Sequence, residues 1–274
     1  MKDQTFGDQP LISVVTIVKN DVEGLQRTRL SVESQERVSL QHIVVAGSST
    51  DGTLELSQQW GNLGLIDVCA DRDTGIYDAM NRGLSFARAP WVWFLNAGDM
   101  FSHSGSAQRA IEQVKGASWA FGAVIPTDVT GERRGTTLLP HITRRRLQWG
   151  DVYLNHQALI MQTEFLRKIG SFDASFKSAG EFDMYLRALA FELPRRIPCE
   201  WVNFLVGGSS MTNADLHIRE MRRSRELRLN LNATGMAVND LLTNYRLLRH
   251  KLGSKHYPLF GFLRRIYLSR KYGL

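Results

Sequence analysis

Asp73-Thr74-Gly75-Ile76-Tyr77-Asp78-Ala79-Met80-Asn81-Arg82-Gly83, followed by Trp91-Val92-Trp93-Phe94-Leu95-Asn96-Ala97-Gly98-Asp99, reads as a turn, a helix and a buried strand. The strand delivers one carboxylate to its C-terminal end. In an open α/β sheet, ligands sit outside the carboxyl ends of the strands. A carboxylate placed there by a rigid strand suits a metal ion held on a phosphate. The stretch therefore points to chemistry on a nucleotide or another phosphorylated ligand.

The same alternation extends on both sides. Residues 11–18 form an almost unbroken β-branched run, the pattern of a strand buried on both faces. Asn20-Asp21 offers a cap for a helix that runs through Leu25 and Leu30 toward Gln35. Residues 42–46 and 65–70 read as two further short strands. Between them the small-residue turn 47–53 leads into a helix carrying Leu54 and Leu56, with Asp51 or Thr50 as its cap. Ile76, Met80, Leu84 and Ala87 recur at helical spacing. Residues 91–95 read as a fourth strand and 119–124 as a fifth. This order predicts an α/β fold with a mostly parallel sheet covered on both faces. Residues 127–137 read as a surface loop or hairpin. After Pro140 the pattern turns to mixed α+β, and from Leu216 it is helical, with a break at Gly253-Ser254.

The 274 residues suffice for one large domain or two modest ones. Hydrophobic residues make up 43% and charged residues 22%, the balance of an ordinary globular enzyme. No apolar run approaches the ~20 residues that span a bilayer. Residues 1–10 are polar and lack the apolar core of a signal peptide, so a cytoplasmic location is expected. Cys69 and Cys199 lie in apolar stretches with no Cys-x-x-Cys or Cys/His pattern, which argues against a disulfide or zinc site. The formal charge of +7 is uneven. After Asn213 thirteen Lys/Arg face four acidic residues, so the tail carries +9 and the rest of the chain is close to −2. Such a tail suits a nucleic acid, a membrane surface or a neighbouring subunit, or serves solubility. Residues 257–272 mix aromatic and basic side chains in a pattern compatible with an amphipathic segment.

Each motif has a plain reading beside a chemical one. Asn96-Ala97-Gly98-Asp99 is a metal-binding turn or a polar capping turn. The turn 47–53 cradles a nucleotide or simply caps a helix, and it is neither a P-loop nor a dinucleotide fingerprint. His156, in Asn155-His156-Gln157-Ala158, is structural or catalytic. Glu181 and Asp183 open a helix, where acids complement the N-terminus or one of them serves as a general base. Two helical residues separated by one position point in different directions, so at most one faces a given ligand. Gly207-Gly208-Ser209-Ser210 is a closing loop or a linker.

Taken in this order, the segments resemble a family 2 glycosyltransferase of the GT-A fold, as in the bacterial enzymes that build exopolysaccharide, colanic acid and O-antigen. The resemblance spans roughly residues 11–213 and rests on the order and spacing of the motifs. Ser13-Val14-Val15-Thr16-Ile17-Val18-Lys19-Asn20 resembles the family's opening strand and its nucleotide-contacting end. Ser49-Thr50-Asp51-Gly52-Thr53 matches the turn after the second strand, and Asp73 to Gly83 is nearly letter-perfect to the family motif. Asn96-Ala97-Gly98-Asp99 resembles a variant Asp-x-Asp region, His156-Gln157-Ala158 an acceptor-side motif, and Gly207-Gly208-Ser209-Ser210 the family's flexible loop. Glu181 falls where the family places its catalytic acid. Two positions depart from the pattern. Ala46 stands where an Asp usually contacts the base, and Glu181 stands where Asp is commoner.

The resemblance implies an inverting transfer from a nucleotide-diphosphate sugar to a saccharide or polyprenyl-diphosphate-linked acceptor. It implies a divalent metal ion, Mn or Mg, on Asp99, and Glu181 as general base with Asp183 as the substitute. Val18, Asn20, Asp51, Asp73, Asn81 and His156 then border the donor site. The implied division is a GT-A glycosyltransferase domain at 1–213 and a basic helical extension at 214–274. The extension finds a use at an anionic membrane surface, where each Lys/Arg contributes about 1 kcal/mol; no nucleic-acid partner is implied. A sugar nucleotidyltransferase is the competing enzyme, but the Gly-rich basic loop it needs after the first strand is absent from Val18-Lys19-Asn20-Asp21. A sugar-nucleotide-binding protein without catalysis is the other alternative, and Ala46 is its support.

Overall fold

The computed structural model describes residues 9–128, 130–205 and 213–253. The loop at residues 207–210 and the segment 257–272 lie outside the described residues. The chain divides into two compact units, Met1–Gly208 and Ser209–Leu274; the sequence reading put its boundary after Asn213.

The first unit holds an eight-stranded sheet in the order β3-β2-β1-β4-β7-β6-β8-β5. The strands are β1 (Ile12–Ile17), β2 (Leu40–Val45), β3 (Asp67–Cys69), β4 (Trp91–Phe94), β5 (Met100–Phe101), β6 (Trp119–Thr127), β7 (Leu159–Gln162) and β8 (Arg195–Leu205). β3, β2, β1 and β4 are parallel, β7 runs against both β4 and β6, and β8 lies parallel to β6. The mostly parallel sheet expected from the alternation is present. β5 and β8 were not legible in the sequence. β5 has two residues, too few for a period, and the register of β8 against β6 shifts near Phe121 and Ala123, which breaks any alternation of burial.

β1 is buried along nearly its whole length, so its polar side chains need partners inside the sheet. Ser13 Oγ donates to Gln41 Oε1 at 2.6 Å, and Gln41 Nε2 donates to Asp67 Oδ2 at 2.6 Å, which ties β1, β2 and β3 edge to edge. On the other side of β4, Trp93 packs against Phe101 and Trp201 with ring centroids 5.0 Å apart in each case. Trp201 lies flat on Gly122, where an added Cβ would sit 2.2 Å from the indole.

The helices that frame the carboxyl ends of the strands are α1 (Val22–Glu33), α2 (Thr53–Asn62) and α3 (Ile76–Phe86). Asp21 caps α1 by accepting from the Gly24 N–H at 2.8 Å. The cap of α2 is Gly52, at φ +96°, and not Asp51 or Thr50. Asp51 stands one residue earlier, and its Oδ1 accepts from the Thr53 amide at 3.1 Å. α4 (Ser106–Gln113), α5 (Arg144–Trp149), α6 (Thr163–Lys168) and α7 (Gly180–Leu189) complete the unit, with a 3-10 turn at His156–Ala158. The second unit pairs α8 (Ala214–Arg228) with α9 (Ala233–Gly253). Fully buried Arg225 joins them by donating to Asn239 Oδ1 at 2.6 Å. No helix among the described residues is long and apolar enough to cross a membrane.

Gly83 sets how closely α3 lies on the sheet: an added Cβ would meet Val15 Cγ1 at 2.3 Å. Gly83→Ala therefore overpacks a rigid contact and is expected to cost about 1–3 kcal/mol. Chemical denaturation measures this, and unchanged stability would show that the sheet yields at Val15.

Candidate active site

The turn after β4 is built by α1. Beyond β4 the chain stays beside β1, with Leu95 N–H donating to Val15 O at 3.0 Å and Ala97 N–H to Ile17 O at 3.2 Å. It then turns at Gly98, φ +91°, a backbone that glycine adopts without strain. The Gly98 N–H donates to Thr28 Oγ1 at 3.0 Å, and that hydroxyl donates to Asp99 O at 2.8 Å. One buried threonine thus holds both ends of the turn. Asp99 is 4% exposed. Its Oδ1 accepts from the Leu205 N–H at 3.0 Å. Burial pushes its carboxyl from 3.8 up to about 7, against the pull of the Leu205 amide, His156 and Gln157. Asn96, at the start of the turn, keeps its Oδ1 buried with no hydrogen-bond partner among the described residues.

A second carboxylate meets this turn through His156. Glu181 stands in the first turn of α7 and is 5% exposed. Its Oε1 lies 3.1 Å from His156 Nδ1, and its Oε2 accepts from the Tyr77 hydroxyl. His156 Nε2 lies 3.1 Å from Asn96 Nδ2. The donor and acceptor roles of the two ring nitrogens follow the tautomer, and in each the ring bridges Asn96 and Glu181. A continuous chain results: Asn96, His156, Glu181, Tyr77. Burial alone would raise the Glu181 carboxyl, but the hydrogen bond and electrostatic pull of His156 and the Tyr77 hydroxyl hold it below its ordinary value.

The helix α3 and the loop before α7 fit around this contact. Gly180 leaves room for the Tyr77 ring, which a Cβ would approach to 2.7 Å. Tyr77 stacks on Phe172 with centroids 6.0 Å apart. Asn81 clamps the Phe172 backbone, donating to its carbonyl at 2.8 Å and accepting from its amide at 2.9 Å. Both functions of the Asn81 amide are engaged in holding this loop, so the structure gives it a framework position where the sequence reading put it on the donor. Asp183 also departs from the cluster. It is fully buried, and its Oδ2 pairs with Arg187 Nε at 2.8 Å, while Arg187 Nη1 donates to Ile169 O.

The remaining sequence candidates line the carboxyl ends of β1, β2 and β3. Val18 is buried, with its N–H on Val45 O at 3.0 Å. Exposed Asn20 adopts φ +55° and joins two loops, its Oδ1 accepting from the Thr50 amide at 2.7 Å and its own amide donating to Ser49 Oγ at 3.1 Å. Asp73 Oδ2 accepts from Ser48 Oγ at 2.8 Å. Gly47 is compulsory because a Cβ would meet Asp71 O at 2.2 Å. Ala46 is fully buried. Tyr77 and Asn96 were quoted in the motifs without a role, and Ser48 lies in the turn 47–53. The near-complete match of 73–83 was the signal available for Tyr77.

No group of three or more His, Cys, Asp or Glu side chains able to hold a metal occurs among the described residues. The donor set that does occur is one buried carboxylate and one unpartnered amide oxygen in the same turn. These are hard oxygen ligands, and divalent Mg is characteristically held by one or two carboxylates with substrate phosphates and water completing its shell. The residues fit such an ion.

The sequence profile of Glycosyl transferase family 2 matches residues 13–170. An uncharacterized glycosyltransferase of Mycobacterium tuberculosis is 32% identical over 225 residues, covering 80% of this chain and 84% of the relative. A PGL/p-HBAD biosynthesis glycosyltransferase of Mycobacterium bovis is 25% identical over 186 residues, covering 66% and 70%. Among solved structures, residues 1–349 of S. aureus TarS, in complex with UDP-GlcNAc, superpose with a TM-score of 0.63 at 17% identity, covering 95% of this chain and 76% of that one. Of the longer TarS chain this protein spans 43%. The mannosyltransferase PcManGT from Pyrobaculum calidifontis, with GDP-Man and Mn2+, gives 0.60 at 12% identity, covering 97% and 82%. The sheet and its helices thus have the GT-A architecture.

The raised Asp99 carboxyl has a consequence for stability. Between pH 4 and 7 the unfolded chain releases this proton while the folded chain keeps it, so folding weakens as pH rises through that window. Asp99→Asn cannot ionise. In the presence of chelator, its Tm advantage over the wild type should grow from pH 4 to 7 and level off above. A constant difference across that range would refute the assignment.

Proposed function

Since the chain belongs to glycosyl transferase family 2, we propose that it is an inverting, metal-dependent transferase acting in bacterial surface polysaccharide synthesis. Its donor is a nucleotide-diphosphate sugar. Its acceptor is a hydroxyl of a saccharide or of a polyprenyl-diphosphate-linked sugar. The observation that carries this reading is the Glu181 carboxylate, ionised and held from two sides by His156 and Tyr77. The fold neighbours solved with UDP-GlcNAc and with GDP-Man support the donor class.

In the proposed step, the acceptor oxygen bonds to the anomeric carbon as the bond from that carbon to the diphosphate oxygen breaks. The acceptor proton passes to Glu181, and the electron pair leaves with the diphosphate. A carboxylate has about four lone-pair sites. His156 and Tyr77 each take one on a different oxygen, so a position remains for the acceptor hydroxyl. Their hydrogen bonds keep Glu181 deprotonated and fix its rotamer, which is the positioning that general-base catalysis needs. Asp99 and the Asn96 amide oxygen would hold the Mn or Mg ion, which supplies neutralisation of the charge gathering on the diphosphate. Asn20, Asp51 and Asp73, on the loops after β1, β2 and β3, border the nucleoside. Buried Val18 shapes the floor below them. Ser48, hydrogen-bonded to Asp73, stands close to where the family Asp would be at Ala46. The exposed basic residues after Asn213 hold the enzyme on the cytoplasmic face of an anionic membrane, near a lipid-linked acceptor. Arg264, Arg265, Arg270 and Lys271 belong to this reading and lie outside the described residues.

Glu181→Gln keeps the shape but cannot take a proton, so turnover should fall by ~100-fold or more while donor affinity stays. Asp183→Asn should lower the melting temperature by loosening Arg187, with a smaller effect on turnover of the folded protein. The reverse pattern, a folded but inactive Asp183→Asn beside an active Glu181→Gln, overturns the assignment of the base.

The metal has its own readout. With a nucleoside diphosphate present, Mn should raise the melting temperature of the wild type, because a ligand bound only to the native state stabilises it. In Asp99→Asn that rise should vanish. An equal rise in both proteins would place the ion elsewhere.

A further inference from the structure

Tyr153 stands in the irregular segment between α5 and the 3-10 turn. Its neighbours Val152 and Leu154 are buried, whereas Tyr153 itself is 41% exposed. The Tyr185 hydroxyl donates to Leu154 O at 2.7 Å and pins this segment to α7. The Tyr185 ring is itself held, stacked on Trp119 with centroids 6.2 Å apart and in edge contact with Tyr153 at 6.3 Å. Tyr153 is thus a large, partly exposed ring on a rigid support. Such a ring offers amphipathic contact area at little cost in side-chain freedom.

Two ties place that ring beside Glu181. Tyr185 follows Glu181 by four residues on α7, which puts both on one helix face. His156, whose ring meets Glu181, follows Tyr153 by three residues. Burial of the Tyr153 hydroxyl, and after it the Glu181 charge, lift that group above its ordinary value. The polar end of Tyr153 therefore lies within the field of the carboxylate.

We propose that the Tyr153 ring is the acceptor platform, and that the acceptor is a pyranose with one C–H face on this ring and one rim hydroxyl on Glu181. The inference rests on Glu181 as the base and extends that reading to the acceptor. A pyranose has an apolar face of C–H groups and a rim of hydroxyls. The face covers an aromatic ring and buries apolar area. A rim hydroxyl can then reach the lone pair that His156 and Tyr77 leave on the carboxylate. An alkyl chain would cover the ring but bring no hydroxyl to the base. A phosphate would be repelled by the Glu181 charge. In a lipid-linked acceptor it is therefore the sugar, and not the diphosphate, that occupies this position. The platform also selects among sugars, because a hydroxyl axial on the stacked face would lift the pyranose from the ring.

Binding tests this without turnover. Saturation-transfer NMR on the full-length chain, with Mn and either UDP or GDP, uses methyl glucoside, galactoside, mannoside and N-acetylglucosaminide as probes. At least one should bind the wild type, with the strongest saturation on the C–H protons of one ring face. Tyr153→Leu keeps apolar bulk without an aromatic face and should weaken that binding by about tenfold or more. Tyr153→Phe and Tyr153→Trp should keep it, and circular dichroism should show all three variants folded. Glu181→Gln still accepts a hydrogen bond and should keep it too, so loss of the base and loss of the platform are told apart. A wild type that binds none of the probes overturns the proposal, as does equal binding by Tyr153→Leu. A loss in Tyr153→Phe as large as in Tyr153→Leu overturns stacking and assigns the contact to the hydroxyl.

Discussion

Glu181 takes a carboxylate into the protein interior, and the cost of that burial organises the surrounding structure. An ion removed from water is strongly penalised unless charged or polar partners replace the lost hydration. Here the partners come from two other elements, His156 in the 3-10 turn before β7 and Tyr77 in α3. Neither is near Glu181 in the chain, so α3, the 3-10 turn and α7 must come together for any of them to be satisfied. The supporting contacts follow. Gly180 admits the Tyr77 ring, Phe172 stacks beneath it, and Asn81 fixes the Phe172 backbone. Much of the 73–83 motif is accounted for by the need to present one hydroxyl to one carboxylate and to let α3 lie on the sheet at Gly83.

The second carboxylate is held in the opposite condition. Asp99 is buried, the pull of the Leu205 amide, His156 and Gln157 does not offset that burial, and its carboxyl rises to about 7. The two acids are thus pushed apart in proton affinity, Glu181 held below its ordinary value and Asp99 raised above it. Separation of this kind, produced by environment and not by residue type, marks sites that do chemistry. Thr28 and Gly24 of α1 brace the turn that carries Asp99, so the position belongs to the rigid sheet and its first helix.

The strands β1 to β4 and the helices between them were readable from the residues alone. Unbroken β-branched runs and apolar spacing of 3.6 are local properties, each set by whether a short segment can bury one side. Gly47, Gly83 and Gly98 were visible as motif letters too. Their causes, close approaches to Asp71, Val15 and Leu205, were not. The family was legible for the same reason: its motifs are short, and their order survives in one dimension.

What the tertiary structure decided was partnership. Glu181 and Asp183 are two residues apart on one helix, and nothing local distinguishes them as a base. Packing turns the first toward His156 and Tyr77 and the second toward Arg187. Asn81 carries the letters of a ligand contact but spends its amide on Phe172, 91 residues away. Sequence patterns record which residues prefer to be buried. Which side chains then meet, and which faces stay open, depends on contacts between segments far apart in the chain, and the folded structure alone supplies those.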